Sequence, residues 1–390
     1  GTRVVIGAPA YVTDWGSTLY PVAPEPGYVR VFELPDVRAP SPPFHPPRPS
    51  PPPSPPPSPS PPPLPPPSPP PCPPPYPPGM APKPLPPMPP PFTPEANVDP
   101  VQVGGDLDGT HNYDHAGCET SISSDGKRVA VGSQKGDPPG RPDAGWVRVY
   151  DVSGAAGAEV WTQVGQTIEG EALLDLSGYA VALSGNGNRV AIGAHENDKN
   201  TGMEDREWGH VRVYELVGST WTQMGADIDA TLEGDWLGRS VDLSADGTIV
   251  AIGAPQYGYG DTNNGYARVL EWSGSAWVQM GADIVSLSNG GSPPHRAGES
   301  VSLSADGHTV VVGVPWYYTN NEGYARVMSY DGANWQQLGD SLTLLYSHPS
   351  SRQLGWDVSI SDNGARVAAS APGFLVAVWE YKPGHYEGTC

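Results

Sequence analysis

Basic residues are scarce: 21 Lys+Arg stand against 42 Asp+Glu, leaving a formal charge of −21. A chain so short of cations lacks the basic patches that DNA, RNA or an anionic membrane surface require. Only 16% of residues are charged, so the acidity reflects missing bases rather than a dense acidic tail. No apolar run approaches the roughly 18 residues of a membrane-spanning helix, and helical periodicity is absent. Cysteine is reduced to three, with no CxxC or Cys/His spacing for zinc or a redox dithiol. Asn-x-Ser/Thr does not occur, so Asn-linked glycans are not expected. Gly-x-Ser-x-Gly, His-Glu-x-x-His and the phosphate-binding Gly-x-x-x-x-Gly-Lys-Ser/Thr are missing too. The nine histidines are scattered. With no nucleophile and no paired acid and base nominated, enzymatic activity is not expected.

What the chain has in excess is proline, 51 in all, of which 35 fall in the 55 residues from Pro40 to Pro94. Two kinds of polymer are therefore joined in its 390 residues, one globular and one polyproline. Proline fixes φ near −65° and removes the amide donor, so this stretch forms neither helix nor sheet. A polyproline II rod rising ~3.1 Å per residue would extend roughly 170 Å. The expected organisation is strands over 1–38, a Pro/Ser-rich segment over 39–99, and further strands over 100–390. Because the chain starts at Gly1 rather than Met, removal of a leader or of a longer stretch is expected.

A unit of about 60 residues recurs outside the proline tract. Its clearest mark is a turn at Gly126, Gly187, Gly247, Gly307 and Gly364, each preceded by Asp or Asn and spaced 61, 60, 60 and 57 apart. Asn-Gly and Asp-Gly favour positive φ at both central positions and so mark hairpins. Each unit reads as four short strands, A to D, for example Val241–Ser244, Val250–Gly253, Val211–Tyr214 and Trp221–Gly225. The near-continuous apolar B strands predict burial on both faces; the alternating A, C and D strands predict one polar face. All-β, with four strands repeated at this period, the expected fold is a β-propeller of four-stranded blades. Six repeats are visible and both ends are incomplete. In one reading, strands upstream of Gly1 complete a ring that takes in residues 1–38. In the other, Val101–Val103 completes the last unit, and residues 1–38 belong to a neighbouring propeller.

Gly7-Ala8-Pro9 and Gly253-Ala254-Pro255, with partial copies at Gly193, Gly313 and Ser370, follow strand B. With the Gly-x-Ser-Val strand, this resembles the FG-GAP repeat of integrin-α-like propellers. That resemblance implies calcium in the A–B hairpin, but each hairpin here offers a single Asp or Asn beside its Gly, so none is expected there. By oxygen count the best calcium candidate is Asp106, Asp108 and Asp114, which lacks the spacing of an EF-hand loop. No other cofactor is implied.

The Ser-Pro-Pro-Pro runs resemble extensins and volvocine algal wall glycoproteins. In those families such prolines are hydroxylated and arabinosylated, and serines are galactosylated. The candidates for O-glycosylation or hydroxylation here are Pro51, Pro52, Pro53, Ser54, Pro55, Pro56, Pro57, Ser58, Ser60, Pro61, Pro62, Pro63, Pro65, Pro66, Pro67 and Ser68. Cys72 has no core to sit in within such a segment, so a disulfide is expected; Cys72, Cys118 and Cys390 are its candidates, and the pairing stays open.

Other residues recur with the unit. Arg30, Arg148, Arg212, Arg268 and Arg326 share a strand-C position, where ion pairs between units, with an acid such as Asp242 or Glu215, are expected. Trp161, Trp221, Trp277 and Trp335 share a packing position. Gln102, Gln163, Gln223, Gln279 and Gln337 are expected to satisfy backbone groups of an outer strand. Asp114, Asp175 and Asp235 read as turn formers, with His295 and Arg352 in their place later. Trp15, Trp208 and Trp316 are the candidates for sugar stacking.

Together these features predict a structural subunit of an extracellular glycoprotein assembly: a fibril, a wall layer, or a flagellar hair of the mastigoneme type. Its partners would be further copies or other matrix glycoproteins, with covalent O-glycans, and it would have no nucleic acid partner and no membrane span. The alternative is an extracellular adhesion or carbohydrate-binding propeller.

Overall fold

A computed structural model describes residues 3–8, 28–33, 100–111, 113–198, 207–256, 264–286, 295–316, 323–344, 353–372, 375–382 and 385–389. The proline-rich segment with all its modification candidates, Cys72, Cys390, Trp15 and Arg352 lie outside the described residues. Every regular element described is a strand, and the strands form six antiparallel sheets. Sheet 1 holds β1 (Arg3–Ala8), β2 (Tyr28–Glu33), β3 (Val101–Gln102) and β4 (Leu107–Asp108). Sheet 2 holds β5 (Ala116–Ile122), β6 (Arg128–Ser133), β7 (Trp146–Ser153), β8 (Val160–Gln163) and β9 (Ile168–Glu169). Sheet 3 holds β10 (Ala180–Leu183), β11 (Arg189–Ala194), β12 (His210–Val217), β13 (Thr220–Gln223) and β14 (Ile228–Asp229). Sheet 4 holds β15 (Ser240–Leu243), β16 (Ile249–Ala254), β17 (Tyr266–Trp272), β18 (Trp277–Gln279) and β19 (Ile284–Val285). Sheet 5 holds β20 (Val301–Leu303), β21 (Thr309–Val314), β22 (Tyr324–Tyr330) and β23 (Trp335–Gln337). Sheet 6 holds β24 (Val358–Ile360), β25 (Arg366–Ala371), β26 (Leu375–Lys382) and β27 (His385–Thr389).

Two pairings bear on the readings of the ends. β3 pairs with β2, Glu33 opposite Val101, so sheet 1 is built from both sides of the proline tract. β26 has its own fourth strand, β27. Val101–Val103 therefore does not complete the last unit. The sequence reading missed β27 because His385–Thr389 carries no Trp-x-Gln signature.

The first strands β5, β10, β15, β20 and β24 lie against one another in succession. Three repeated devices hold the sheets in this order. The first is the A–B turn, where Asp246 Oδ1 accepts from Ser244 Oγ at 2.7 Å and from the Thr248 amide at 2.9 Å. Ser244 Oγ accepts in turn from the Ile249 amide at 3.0 Å. The same bonds recur at Asp125, Asn186, Asp306 and Asn363. The one acid or amide of each turn is thus engaged in shaping it. Neighbouring turns are then joined by amide-to-carbonyl bonds, Ser124 to Gly185, Ala245 to Ala305 and Ala305 to Asp362.

The second device is glycine in the second strand. A Cβ on Gly193, Gly253 or Gly313 would lie 1.9–2.0 Å from the carbonyl oxygen of the glycine opening the next sheet. Only glycine admits so close an approach. The third is the fourth-strand tryptophan. Nε1 of Trp161, Trp221, Trp277 and Trp335 donates at 2.7–2.9 Å to a carbonyl in the preceding unit: Val103, Val164, Met224 and Met280.

Burial on both faces, expected for the second strands alone, extends further. β10 is buried throughout and β12 through its first five residues, because each lies between two neighbouring sheets. Ile192, Ile252 and Leu237 are at most 1% exposed, each contributing ~2–3 kcal/mol of burial. The end sheets differ. Val376 and Val378 on β26 are 64% and 40% exposed, whereas Val211 and Val213 at the same positions of β12 are 0% and 1%. Ile6 on β1 is 54% exposed, against 1% for Ile192 and 0% for Ile252.

The loops between units depend on buried carboxylates. Asp235, fully buried, accepts from the amides of Thr231 and Leu232, from the Tyr266 hydroxyl and from Gln256 Nε2. It binds backward to residues three and four before it, rather than forming an Asx turn ahead. Asp235→Ala leaves these donors unsatisfied and is expected to cost about 3 kcal/mol or more; Asp235→Asn, which keeps an acceptor, is expected to cost less. Denaturant unfolding of both variants checks the order.

Candidate functional site

The recurring polar residues are occupied with one another. Arg30 forms a two-point pair with Asp106 at 2.9 Å, and Arg268 with Asp283 at 2.8 Å. Gln102 and Gln279, four residues earlier, donate to the same carboxylates. Arg148 reaches Thr167, Arg326 reaches Gln337, and Arg212 reaches Glu171 and the Glu169 carbonyl in sheet 2. The partners are thus not Asp242 or Glu215. Asp242 accepts from the Leu303 amide and Ser302 Oγ of sheet 5, and Glu215 is held by Arg189. The glutamines bond mainly to side chains of their own loop, with Gly165, Gly225 and Gly339 carbonyls beside them.

The structure does not gather Asp106, Asp108 and Asp114 into one ligand set. Asp106 belongs to Arg30, whose guanidinium holds its carboxyl below the usual range. Asp108 lies exposed on β4, opposite Tyr28, and buried Asp114 accepts from Thr110 and the His111 amide. Of the sugar-stacking candidates, Trp208 packs on the core between sheets 3 and 4, and the Arg296 guanidinium lies 4.8 Å from the Trp316 ring centre. Cys118 is a free thiol.

A cavity of about 340 Å³ lies among the first strands. It is lined from two repeat positions just after the glycine that opens each strand. One supplies Cys118, Tyr179, Arg239, Glu299 and Trp356; the other supplies Glu119, Ala180, Ser240, Ser300 and Asp357. Arg239 pairs with Glu299 at 2.7 Å and stacks over Tyr179, its centre 4.4 Å from the ring. Ser300 Oγ donates to Asp357 Oδ1 at 3.1 Å and accepts from the Val358 amide.

Glu119 lies on the cavity wall with its side chain still open to solvent, and desolvation by the surrounding protein and then the charge of Asp357 push its carboxyl upward. Burial pushes the Cys118 thiol up to about 12. Its contacts are the carbonyls of Gly132 and Gly178, each 3.8 Å away, so no base draws off its proton and it is not an activated nucleophile. With three carboxyls and one guanidinium, the cavity suits a small cation or a neutral hydrogen-bonding ligand. Sequence reading overlooked it. The available signal was the reverse of a motif: five units that agree elsewhere differ most at these two positions.

Asp242, on the same strands, gives a pH prediction. Burial pushes its carboxyl up from 3.8 to about 6, outweighing the donors that surround it. The folded state then holds the proton more tightly than the unfolded state. Its contribution to stability is complete below 3.8 and is lost as pH rises through about 6. Asp242→Asn is expected to lose less stability between pH 4 and 7.5, measured by urea unfolding. An equal loss in both proteins would remove this assignment.

No protein-family model and no curated protein matches this chain.

Proposed function

We propose that the chain is a structural subunit of an extracellular glycoprotein assembly: a fibril, a flagellar hair or a cell-wall layer of algal type. In this reading the six sheets are blades of an FG-GAP-like β-propeller, and the proline tract is an O-glycosylated polyproline arm. The observation that carries it is apolar exposure at both end sheets. Val376 and Val378 on one side and Ile6 on the other stand where every intervening sheet is covered. Two different faces that each want a neighbouring sheet make a head-to-tail contact between copies, and such contacts propagate. The engagement of the repeated arginines, glutamines and tryptophans within the fold supports a scaffold rather than a reaction site.

The pairing of Glu33 with Val101 supports one propeller rather than two, because strands from before and after the proline tract share a sheet.

Sedimentation velocity over a concentration series tests the assembly. Growing head-to-tail oligomers are expected, and Val376→Lys with Val378→Glu should return the protein to monomers with an unchanged melting temperature. A monodisperse monomer that binds a specific sugar on a glycan array would replace this reading with a carbohydrate-binding one.

A further inference from the structure

Sheet 3 departs from the repeat at one place. The third strand opens with an aromatic residue in sheets 1, 2, 4 and 5, namely Tyr28, Trp146, Tyr266 and Tyr324, but with His210 in sheet 3. In sheets 2 and 4 the following arginine lies over that ring, Arg148 at 4.0 Å and Arg268 at 5.0 Å. In sheet 3 Arg212 turns to Glu169 and Glu171 instead. Asp227 stands where Asp106 and Asp283 hold their arginines, yet it receives no guanidinium. Its Oδ1 accepts from Gln223 at 2.7 Å, and its Oδ2 lies 3.9 Å from His210 Nδ1, too far for a hydrogen bond. The His210 side chain is 1% exposed, and its Nε2 has no hydrogen-bond partner among the described residues. A buried imidazole left unpaired is costly unless something else takes its lone pair.

We propose that Glu171, His210 and Asp227 form a binding site for a divalent transition-metal ion of the zinc class. Their ligand atoms all lie within 4.8 Å of one another, the one such group of His, Cys, Asp and Glu among the described residues. Around a tetrahedral ion with bonds of ~2.0–2.2 Å, ligand atoms sit about 3.3–3.6 Å apart. The widest pair must close by little more than an ångström. Glu171 and Asp227 can supply that movement, because their side chains are 36% and 31% exposed. The same exposure lets water complete the coordination. Arg212 on Glu171 and Gln223 on Asp227 become the outer partners that orient two ligating carboxylates. An imidazole in the set favours zinc, nickel or cobalt over calcium and magnesium. Glu171 follows β9 of sheet 2, whereas His210 and Asp227 belong to sheet 3, so the ion would cross-link two sheets.

The test uses the full chain, stripped with chelator and titrated with zinc chloride by calorimetry. One saturable zinc per chain and a raised melting temperature are expected, with magnesium and calcium giving neither. His210→Tyr installs the aromatic found in sheets 1, 2, 4 and 5 and should weaken zinc binding at least ~tenfold. Asp227→Asn, at a half-exposed position, should do the same and keeps the test valid if the first variant misfolds. Cobalt substitution should give a spectrum without a thiolate charge-transfer band. No saturable zinc binding, equal affinity in both variants, or a thiolate band would each overturn the proposal.

Discussion

Replacing Gly253 by Val is expected to lower the unfolding free energy by about 3 kcal/mol or more. The reason lies in backbone, not in side chains that can move aside. A Cβ there would sit 1.9 Å from the Gly298 carbonyl oxygen and 2.2 Å from Ser240 Oγ. The Gly298 amide is itself bonded to the Gly313 carbonyl, so the strand that must yield is tied into sheet 5. Relief therefore requires sheets 4 and 5 to part, which loses packing along their whole contact. Gly253→Ala should already show most of the effect. Gly105→Ala, where φ is likewise not positive and a Cβ would meet nothing within 4 Å, controls for loss of glycine without crowding. Thermal and denaturant unfolding of the three variants decides the matter. Equal losses at Gly253 and Gly105 would show that the approach between sheets does not govern this position.

Trp221→Ala is expected to cost about 3–5 kcal/mol. The indole is 3% exposed in the cluster formed by sheets 2 and 3, beside Val149, Val190 and Tyr214. Its Nε1 donates to Val164 O at 2.9 Å, and its backbone amide donates to Gln166 Oε1 of the preceding unit at 2.9 Å. Truncation opens a cavity and leaves the Val164 carbonyl without its donor. Trp221→Phe keeps most of the buried area and should lose only ~1 kcal/mol, the worth of one hydrogen bond. Similar costs for the two variants would mean that the bond between units, rather than the filled volume, dominates.

The parts of this fold that were legible in the sequence are those that repeat. The Asp-Gly and Asn-Gly turns, the apolar second strands and the Trp-x-Gln fourth strands each obey a local rule, so their spacing located the strands. Roles that depend on what faces a residue were not legible. Arg30 and Arg268 find their acids in their own loops because Gln102 and Gln279 hold Asp106 and Asp283 in place, a geometry no pattern announces. β27 was missed because it pairs through backbone without the signature tryptophan. The cavity lining escaped notice for a related cause: Cys118, Tyr179, Arg239, Glu299 and Trp356 share a place in the repeat and nothing else. His210 is the instructive case. Read alone it is one histidine among nine, and its meaning emerges only when Trp146 and Tyr266 are seen at the same position.

The central proposal is that the chain is an extracellular structural subunit with a glycosylated proline tract, and intact-glycopeptide mass spectrometry of the native Pro40–Pro94 segment tests it most directly. Hydroxyproline bearing pentose chains, centred on the Pro51–Ser68 runs, is the predicted result. Unmodified proline throughout would contradict it, removing the wall and flagellar-hair reading and leaving the tract as a ligand for a polyproline-binding partner.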